Sequence, residues 1–257
     1  MRPRQAQSLP MNIALTGATG FIGRYVALGL AQRGHKLRVL SRPGREDAFQ
    51  HPCDSGMEGR FEVHTGDLTK AKSLEGFMEG QDMLVHLASA HDHMPDEEMR
   101  EITIRGSEAL LDEVIRSDKK RERVQIWIMS SAVIGAPVYS YYRDTKRIQE
   151  KIFKGGGYEW TSFRPTLVYG VGDYRHTAAL MRQCAVQGGR MTIPHSGRSR
   201  INPVHVDDVV DAMLRKFDWS SQVECIYELA GPTGISYNEF IDYTIAATSG
   251  TVRRRNI

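Results

Sequence analysis

Residues 12–34 constrain the fold more than any other stretch of this chain. Asn12-Ile13-Ala14-Leu15-Thr16 is a short apolar run that ends in Gly17-Ala18-Thr19-Gly20-Phe21-Ile22-Gly23, a GxxGxxG turn. Phe21, Ile22, Tyr25, Val26, Leu28 and Leu30 then fall largely on a helical period, up to Gly34. A strand, a tight glycine turn and a helix in this order predict the first half of a βαβ unit.

The alternation continues down the chain. Leu37–Leu40, Phe61–His64, Met83–Ala88, Val124–Met129 and Trp160–Phe163 read as further strands. Helices are expected from Lys70 to Glu79, from Asp96 to Ile115 and from Tyr141 to Phe153, the last stopped by Gly155-Gly156-Gly157. Strands of four to six residues alternating with helices predict a doubly wound, mostly parallel sheet of the Rossmann type. Pro43 to Gly59, rich in Gly, Pro and charge, reads as a loop. Residues 1–10 read as a flexible extension, with Met11 a candidate start. Residues 11–170 read as the dinucleotide-binding domain. From residue 171 to 257 the alternation loosens, and a smaller substrate-binding portion interleaved with the main fold is expected there.

Composition excludes several classes. The 257 residues, 40% hydrophobic and 25% charged, are an ordinary globular mix, and no run of 18 apolar residues suggests a membrane span. A net charge of +3 gives no case for a nucleic-acid partner; Arg253-Arg254-Arg255 reads as a solvated tail. Cys53, Cys184 and Cys225 form no CxxC, as in a cytoplasmic protein with reduced thiols. His86, His91, Asp92 and His93 lack recognisable metal-site spacing, so no metal is expected. His205 with Asp207 has no GxSxG partner that would make a hydrolase.

The glycine turn carries the first chemistry. Glycine lets the backbone approach a pyrophosphate, and the free amides and positive dipole of a helix start favour the anion. Gly17, Gly20, Phe21, Ile22 and Gly23 are therefore the candidate phosphate cradle. At the end of the second strand an NAD site carries Asp or Glu, whereas an NADP site uses a nearby Arg. Here the residues are Leu40-Ser41-Arg42. Arg42 is placed to take a 2′-phosphate, so NADP is favoured over NAD; Arg24 is a second candidate phosphate contact.

Tyr142-Arg143-Asp144-Thr145-Lys146 is a YxxxK, which puts tyrosine and lysine on one helix face. A lysine cation there can stabilise a phenolate and lower the tyrosine's pKa. Ser130-Ser131 ends the fifth strand twelve residues before Tyr142, on the side of the sheet where open α/β folds bind ligands.

Taken with GATGFIG (17–23), Gly66-Asp67-Leu68, His86-Leu87-Ala88-Ser89, Ser130-Ser131-Ala132-Val133-Ile134-Gly135, RPTLVYG (164–170) and His205-Val206-Asp207-Asp208-Val209, this pair makes the chain resemble the extended short-chain dehydrogenases/reductases of the NAD-dependent epimerase/dehydratase family. The resemblance implies that Asp67 and Leu68 flank the adenine and that Ala88 lies along the cofactor. It implies Ser130 as the catalytic hydroxyl, with Ser131 as fallback, and Tyr142 as acid/base. Lys146 holds the nicotinamide ribose, and Pro165 and Val168 lie near the nicotinamide. His205 to Asp208 would be structural.

The chain departs from the family's pattern in places. The Asp-Glu pair of the 4,6-dehydratases is replaced by Ser131 and Ala132, Thr103 stands where an Asn is usual, and Ile134 replaces the tyrosine of the VYG after the fifth strand. The stretch from Ser130 to Tyr142 is short for a sugar-nucleotide epimerase, and the substrate-binding helices at the C-terminal end look reduced. The expectation is hydride transfer at a carbinol or carbonyl carbon, with a reductase favoured. The alternatives are a nucleotide-sugar epimerase with tightly bound NAD and a non-catalytic NADP sensor. The expected partner is a small carbonyl compound or a nucleotide sugar, and the 96–115 and 141–153 helices could pair two copies into a homodimer.

Overall fold

The computed structural model describes residues 9–46, 60–118, 124–137, 139–175, 177–185, 189–217, 224–248 and 251–256. Most of the expected N-terminal extension, most of the loop before Gly59, and Cys53 lie outside them.

The strands are β1 (Asn12–Thr16), β2 (Lys36–Ser41), β3 (Phe61–Thr65), β4 (Met83–His86), β5 (Gln125–Met129), β6 (Glu159–Pro165), β7 (Val168–Tyr169), β8 (Gly189–Ile193), β9 (Arg200–Ile201), β10 (Val204–His205), β11 (Cys225–Leu229), β12 (Ile235–Ser236) and β13 (Val252–Asn256). The helices are α1 (Phe21–Gln32), α2 (Asp96–Met99), α3 (Gly106–Ser117), α4 (Tyr141–Lys154), α5 (Thr177–Ala185), α6 (Val206–Lys216) and α7 (Tyr237–Thr248). The chain divides into two compact units, Met1–Arg164 with Val210–Glu228, and Pro165–Val209 with Leu229–Ile257.

The first unit is built on a seven-stranded sheet of order β11-β6-β5-β4-β1-β2-β3. The pairs from β3 through β6 are parallel. Strand alternation gives each face its own apolar set. Ala14, Leu84, Ile126 and Ile128 pack with Leu110 and Val114 of α3 and Phe153 of α4. On the opposite face, Trp127 meets Phe163 and Phe217, with ring centroids 5.3 and 4.6 Å apart. α1 and α6 pack closely there, since a side-chain carbon on Gly29 would lie 2.7 Å from Leu214. Helices thus cover both faces, and the strand order reverses between β1 and β4. In such sheets the ligand crevice opens at that switch point, beyond the strands' carboxyl ends.

Two expected helices differ. The Lys70–Glu79 segment forms only a 3₁₀ turn, Ala71–Leu74, because Gly76 and Gly80 adopt φ of +80° and +72° and break the run. The 96–117 segment is helical but changes winding, with a π stretch at Arg100–Arg105 between α2 and α3. Gly106 follows it; a side-chain carbon there would come within 2.9 Å of Leu68 Cβ, so α3 approaches the turn after β3 through a glycine.

In the second unit Leu180, Cys184, Met191, Ile193 and Ile241 form a core between α5, β8 and α7. β7 pairs with β10, and β9 with β12. The triple arginine belongs to β13, paired in parallel with β8, not to a tail.

Candidate active site

At the end of β1 the backbone turns through Gly17, at φ +77°. A side-chain carbon on Gly17 would stand 2.7 Å from the Ala88 amide nitrogen, and one on Gly23 only 1.9 Å from the Gly17 carbonyl oxygen. The first requirement presses the turn against the end of β4. The second lets α1 start directly under the turn. Gly20 closes it, its amide donating to Gly17 O at 2.9 Å. α1 has no side-chain cap and no acid in its first turn, so the amides of its first residues, Phe21 and Ile22 among them, face an unclaimed anion position. These features fit a dinucleotide pyrophosphate.

The neighbouring strand ends complete one rim. Arg42 follows β2 and is exposed; its carbonyl accepts from Arg45 N at 3.0 Å in a turn through Gly44. Among the described residues neither arginine is in an ion pair, and no acid ends β2. Arg24 leans on Thr19 O at 3.4 Å. After β3, Asp67 accepts from the amide and hydroxyl of Thr69, which fixes the turn. Leu68 is buried in the core. The structure therefore brings Gly17, Gly20, Phe21, Ile22, Gly23, Arg42, Asp67 and Ala88 to the carboxyl end of one sheet, while Leu68 serves as packing beneath them. Pro165, the last residue of β6, and Val168, in β7, are buried and belong to the second unit.

Next to the glycine turn lies a buried polar chain absent from the sequence reading. The Lys146 ammonium, 2% exposed, donates to Met129 O at 2.9 Å and to Gln149 Oε1 at 3.1 Å. Gln149 Nε2 lies 3.0 Å from His86 Nε2 and 3.2 Å from Ser107 Oγ. His86 Nδ1 lies 2.7 Å from Thr16 Oγ1, which accepts the Ala88 amide at 3.2 Å. Burial and the Lys146 charge drive the His86 pKa down to about 3, so the ring is neutral. Burial also lowers that of Lys146 to about 7, against a partly restoring attraction from Glu150. His86, weighed above as a metal ligand, is thus a core member. Among the described residues no group of three or more His, Cys, Asp or Glu could hold a metal ion.

Tyr142 lies in the first turn of α4, whose N-cap Ser140 accepts from Arg143 N at 3.1 Å. Burial and the nearby Asp92 push the phenol's pKa up to about 12, against the opposing hydrogen bond of Ser131. The expected lowering by Lys146 does not occur in this state, and the phenol keeps its proton.

The two serines divide. Ser131 bears on the Tyr142 phenol, lowering its pKa, and accepts from Val133 N at 3.2 Å, which starts the turn Ala132–Gly135. Ser130 Oγ is buried without a close hydrogen-bond partner and influences the Glu150 carboxylate instead. Burial would raise the Glu150 pKa, but hydrogen bonds from Arg164, Ser162 and Lys154, with the Ser130 hydroxyl nearby, outweigh it and hold it at about 2. Of the two hydroxyls, that of Ser131 bears on the tyrosine and that of Ser130 on Glu150. Successive residues at a strand's end point to opposite sides, and only the cap onto Val133 shows which one turns inward.

Comparison with known proteins agrees with this geometry. Ceramide reductase of Caulobacter vibrioides is 30% identical over 205 residues, 79% of this chain; the chain spans 59% of that protein's length. Ketoreductase sphI of Aspergillus fumigatus is 25% identical over 80% of the chain and 74% of its own length. UDP-glucose 4-epimerase of Vibrio cholerae is 23% identical over 91% of the chain and 75% of its own. In fold the chain resembles a UDP-glucose 4-epimerase from Thermotoga maritima determined with UDP-glucose, at TM-score 0.76 and 19% identity, covering 96% of this chain and 85% of that one. It also resembles the dTDP-glucose 4,6-dehydratase DesIV of Streptomyces venezuelae, at TM-score 0.80 and 16% identity, covering 96% and 84%. The pattern of the NAD dependent epimerase/dehydratase family, a family of NAD(P)-dependent enzymes, matches residues 13–230. With the glycine turn, the strand order and the tyrosine–lysine helix in place, the chain belongs to the NAD dependent epimerase/dehydratase family.

Proposed function

We propose that this protein is an NADP(H)-dependent reductase of a carbonyl compound. The observation that carries the reading is the placement of the half-buried Tyr142 phenol one helical turn before the buried Lys146 on α4, as a proton donor at the carboxyl end of the sheet. A reductase needs a proton donor at the oxygen of its substrate, and this phenol is one.

The cofactor, when bound, supplies the hydride. Gly17, Gly20, Phe21, Ile22 and Gly23 hold its pyrophosphate, and Asp67 and Ala88 border it. Arg42, with Arg45 beside it, takes the 2′-phosphate, since no acid stands at the end of β2 to receive a 2′-hydroxyl. Ser131 holds the substrate oxygen, in the role expected of Ser130, and Tyr142 gives it a proton. Lys146 already has two fixed acceptors and offers its remaining N–H to the nicotinamide ribose.

Names among the relatives support a reductase: a ceramide reductase and a ketoreductase. A long-chain ketone is therefore the first substrate class to try. The epimerase reading is favoured by the UDP-glucose 4-epimerase relative and predicts NAD that stays with the protein through purification. A sensor predicts no turnover at all. The test is NADPH oxidation against a panel of long-chain 3-ketones, aromatic ketones and aldehydes, in wild type and Tyr142→Phe. Turnover that falls about 10²–10⁴-fold in the variant supports the reading, and turnover unaffected by it refutes the mechanism.

A further inference from the structure

Gln149 stands three residues after Lys146, is fully buried, and touches both Lys146 and His86. The hydrogens of this bridge follow from the heavy atoms. A lysine ammonium has donors only, so the Gln149 atom 3.1 Å from Nζ is its oxygen. Its amide nitrogen then faces His86 Nε2 at 3.0 Å. Two N–H groups cannot bond each other, so Nε2 carries the lone pair and the His86 proton sits on Nδ1. That proton goes to Thr16 Oγ1 at 2.7 Å. The second amide hydrogen of Gln149 reaches Ser107 Oγ at 3.2 Å, and Ser107 passes its own to Thr103 O at 2.6 Å. Ser107 Oγ also lies 3.3 Å from His86 Nε2, but its proton is held by Thr103 O, and the closer Gln149 amide, at 3.0 Å, decides the tautomer; the Nε2–H form of His86 sets two N–H groups against each other there, and the Nδ1–H form does not.

We propose that Gln149 is a positioning residue, one buried bridge that aims the Lys146 ammonium and locks His86 as its Nδ1–H tautomer, so that the lysine helix is registered to the end of β1 at the glycine turn. Among the described residues no carboxylate lies within hydrogen-bond distance of the Lys146 ammonium. Glu150, four residues on, is engaged by Arg164 and Lys154, and His86 on β4 is neutral. The neutral amide of Gln149 is thus one of two acceptors that keep the ammonium charged in a buried site. Removing that acceptor favours the uncharged amine.

The effect on Lys146 in catalysis rests on the reductase reading above, whereas the tautomer does not, and the experiment keeps them apart. Protein labelled with [15N]histidine and free of added cofactor is followed by long-range 1H–15N NMR from pH 5 to 8. His86 is expected as a non-titrating ring with its proton on Nδ1. His35, the other buried histidine among the described residues, accepts from Met11 N at Nδ1 and carries its proton on Nε2, which separates the two signals. In Gln149→Glu the new carboxylate can only accept, so the His86 proton is expected to move to Nε2. An Nε2–H ring in the wild type, or Nδ1–H retained in Gln149→Glu, overturns the proposal; the wild-type spectrum alone decides it if the variant does not fold. In Gln149→Leu the high-pH limb of kcat/KM is expected to move down by about one pH unit, and an unmoved limb with a soluble, folded variant overturns the lysine half. A protein that reduces no carbonyl but shows the tautomer switch sinks the reductase reading and leaves the bridge standing.

Discussion

The carbonyl oxygen of Gly17 lies where a side chain on Gly23 would begin, 1.9 Å from the built Cβ position. Replacing glycine by alanine inside an exposed helix ordinarily gains about 1 kcal/mol. Here the contact is with backbone, which cannot step aside. Gly23→Ala is expected to lose about 1–3 kcal/mol or more and to lower Tm by several degrees, with loss of dinucleotide binding. Thermal melts with and without NADPH check this, and an unchanged melting point would show that the turn does not need the close approach.

The two serines separate in kinetics. Ser131→Ala removes the hydroxyl that bears on Tyr142 and is expected to cut kcat by about 10²–10³-fold, as for loss of one oxyanion donor. Ser131→Thr, which keeps the hydroxyl, should recover much of it. Ser130→Ala replaces a buried hydroxyl lacking a close partner and should be nearly neutral in kcat and stability. The reverse ranking would return the role to Ser130.

The pH dependence of kcat/KM follows from Lys146. Its pKa, lowered to about 7 by burial, means that the ammonium is lost as pH rises through that value in the free enzyme. The phenol, pushed up to about 12 by burial and Asp92, stays protonated over the same range. Activity at limiting substrate is therefore expected to fall above about pH 7. A profile flat to pH 10 would contradict the assigned role of the lysine.

Acid stability follows from Glu150. Its pKa in the folded chain is about 2, below its usual 4.5, because the hydrogen bonds from Arg164 and its neighbours outweigh burial. A depressed carboxylate contributes stability above pH 4.5, lost as pH falls from about 4.5 to 2. The loss is roughly 2–3 kcal/mol. Glu150→Gln should be less stable at pH 7 and show a flatter curve across that window in urea unfolding. A parallel curve for the two proteins would remove Glu150 from the account.

Local pattern was enough for β1 to β6, because most of them are short apolar runs bounded by polar turns, but not for β11 at the edge of the same sheet. It was also enough for α1 and α4, whose amphipathic periods end at Gly34 and Gly155. It failed at Lys70–Glu79, where the apolar spacing is helical but Gly76 and Gly80 take positive φ. It failed again in the second unit, where two-residue strands such as β7 and β10 exist through pairing of distant segments rather than local period. Within the site, the glycine turn and the tyrosine–lysine helix were legible as motifs. The bridge from Lys146 to Thr16 was not, because Gln149 and His86 are 63 residues apart and Gln149 belongs to no motif. A buried glutamine one turn after the lysine, on the same face, was the only signal. Which of Ser130 and Ser131 bears on the phenol depends on a cap onto Val133, which the motif alone does not reveal.

The central claim, a site built for NADP(H), is tested most directly by titrating the purified protein with NADPH and with NADH, alongside Arg42→Ala. Tighter binding of NADPH, weakened about 10–100-fold in the variant with NADH unaffected, is the predicted result, the scale of losing one charge-assisted contact of about 1.5–3 kcal/mol. Preference for NADH, or NAD that remains with the protein through purification, would contradict the role given to Arg42 and with it the reductase reading.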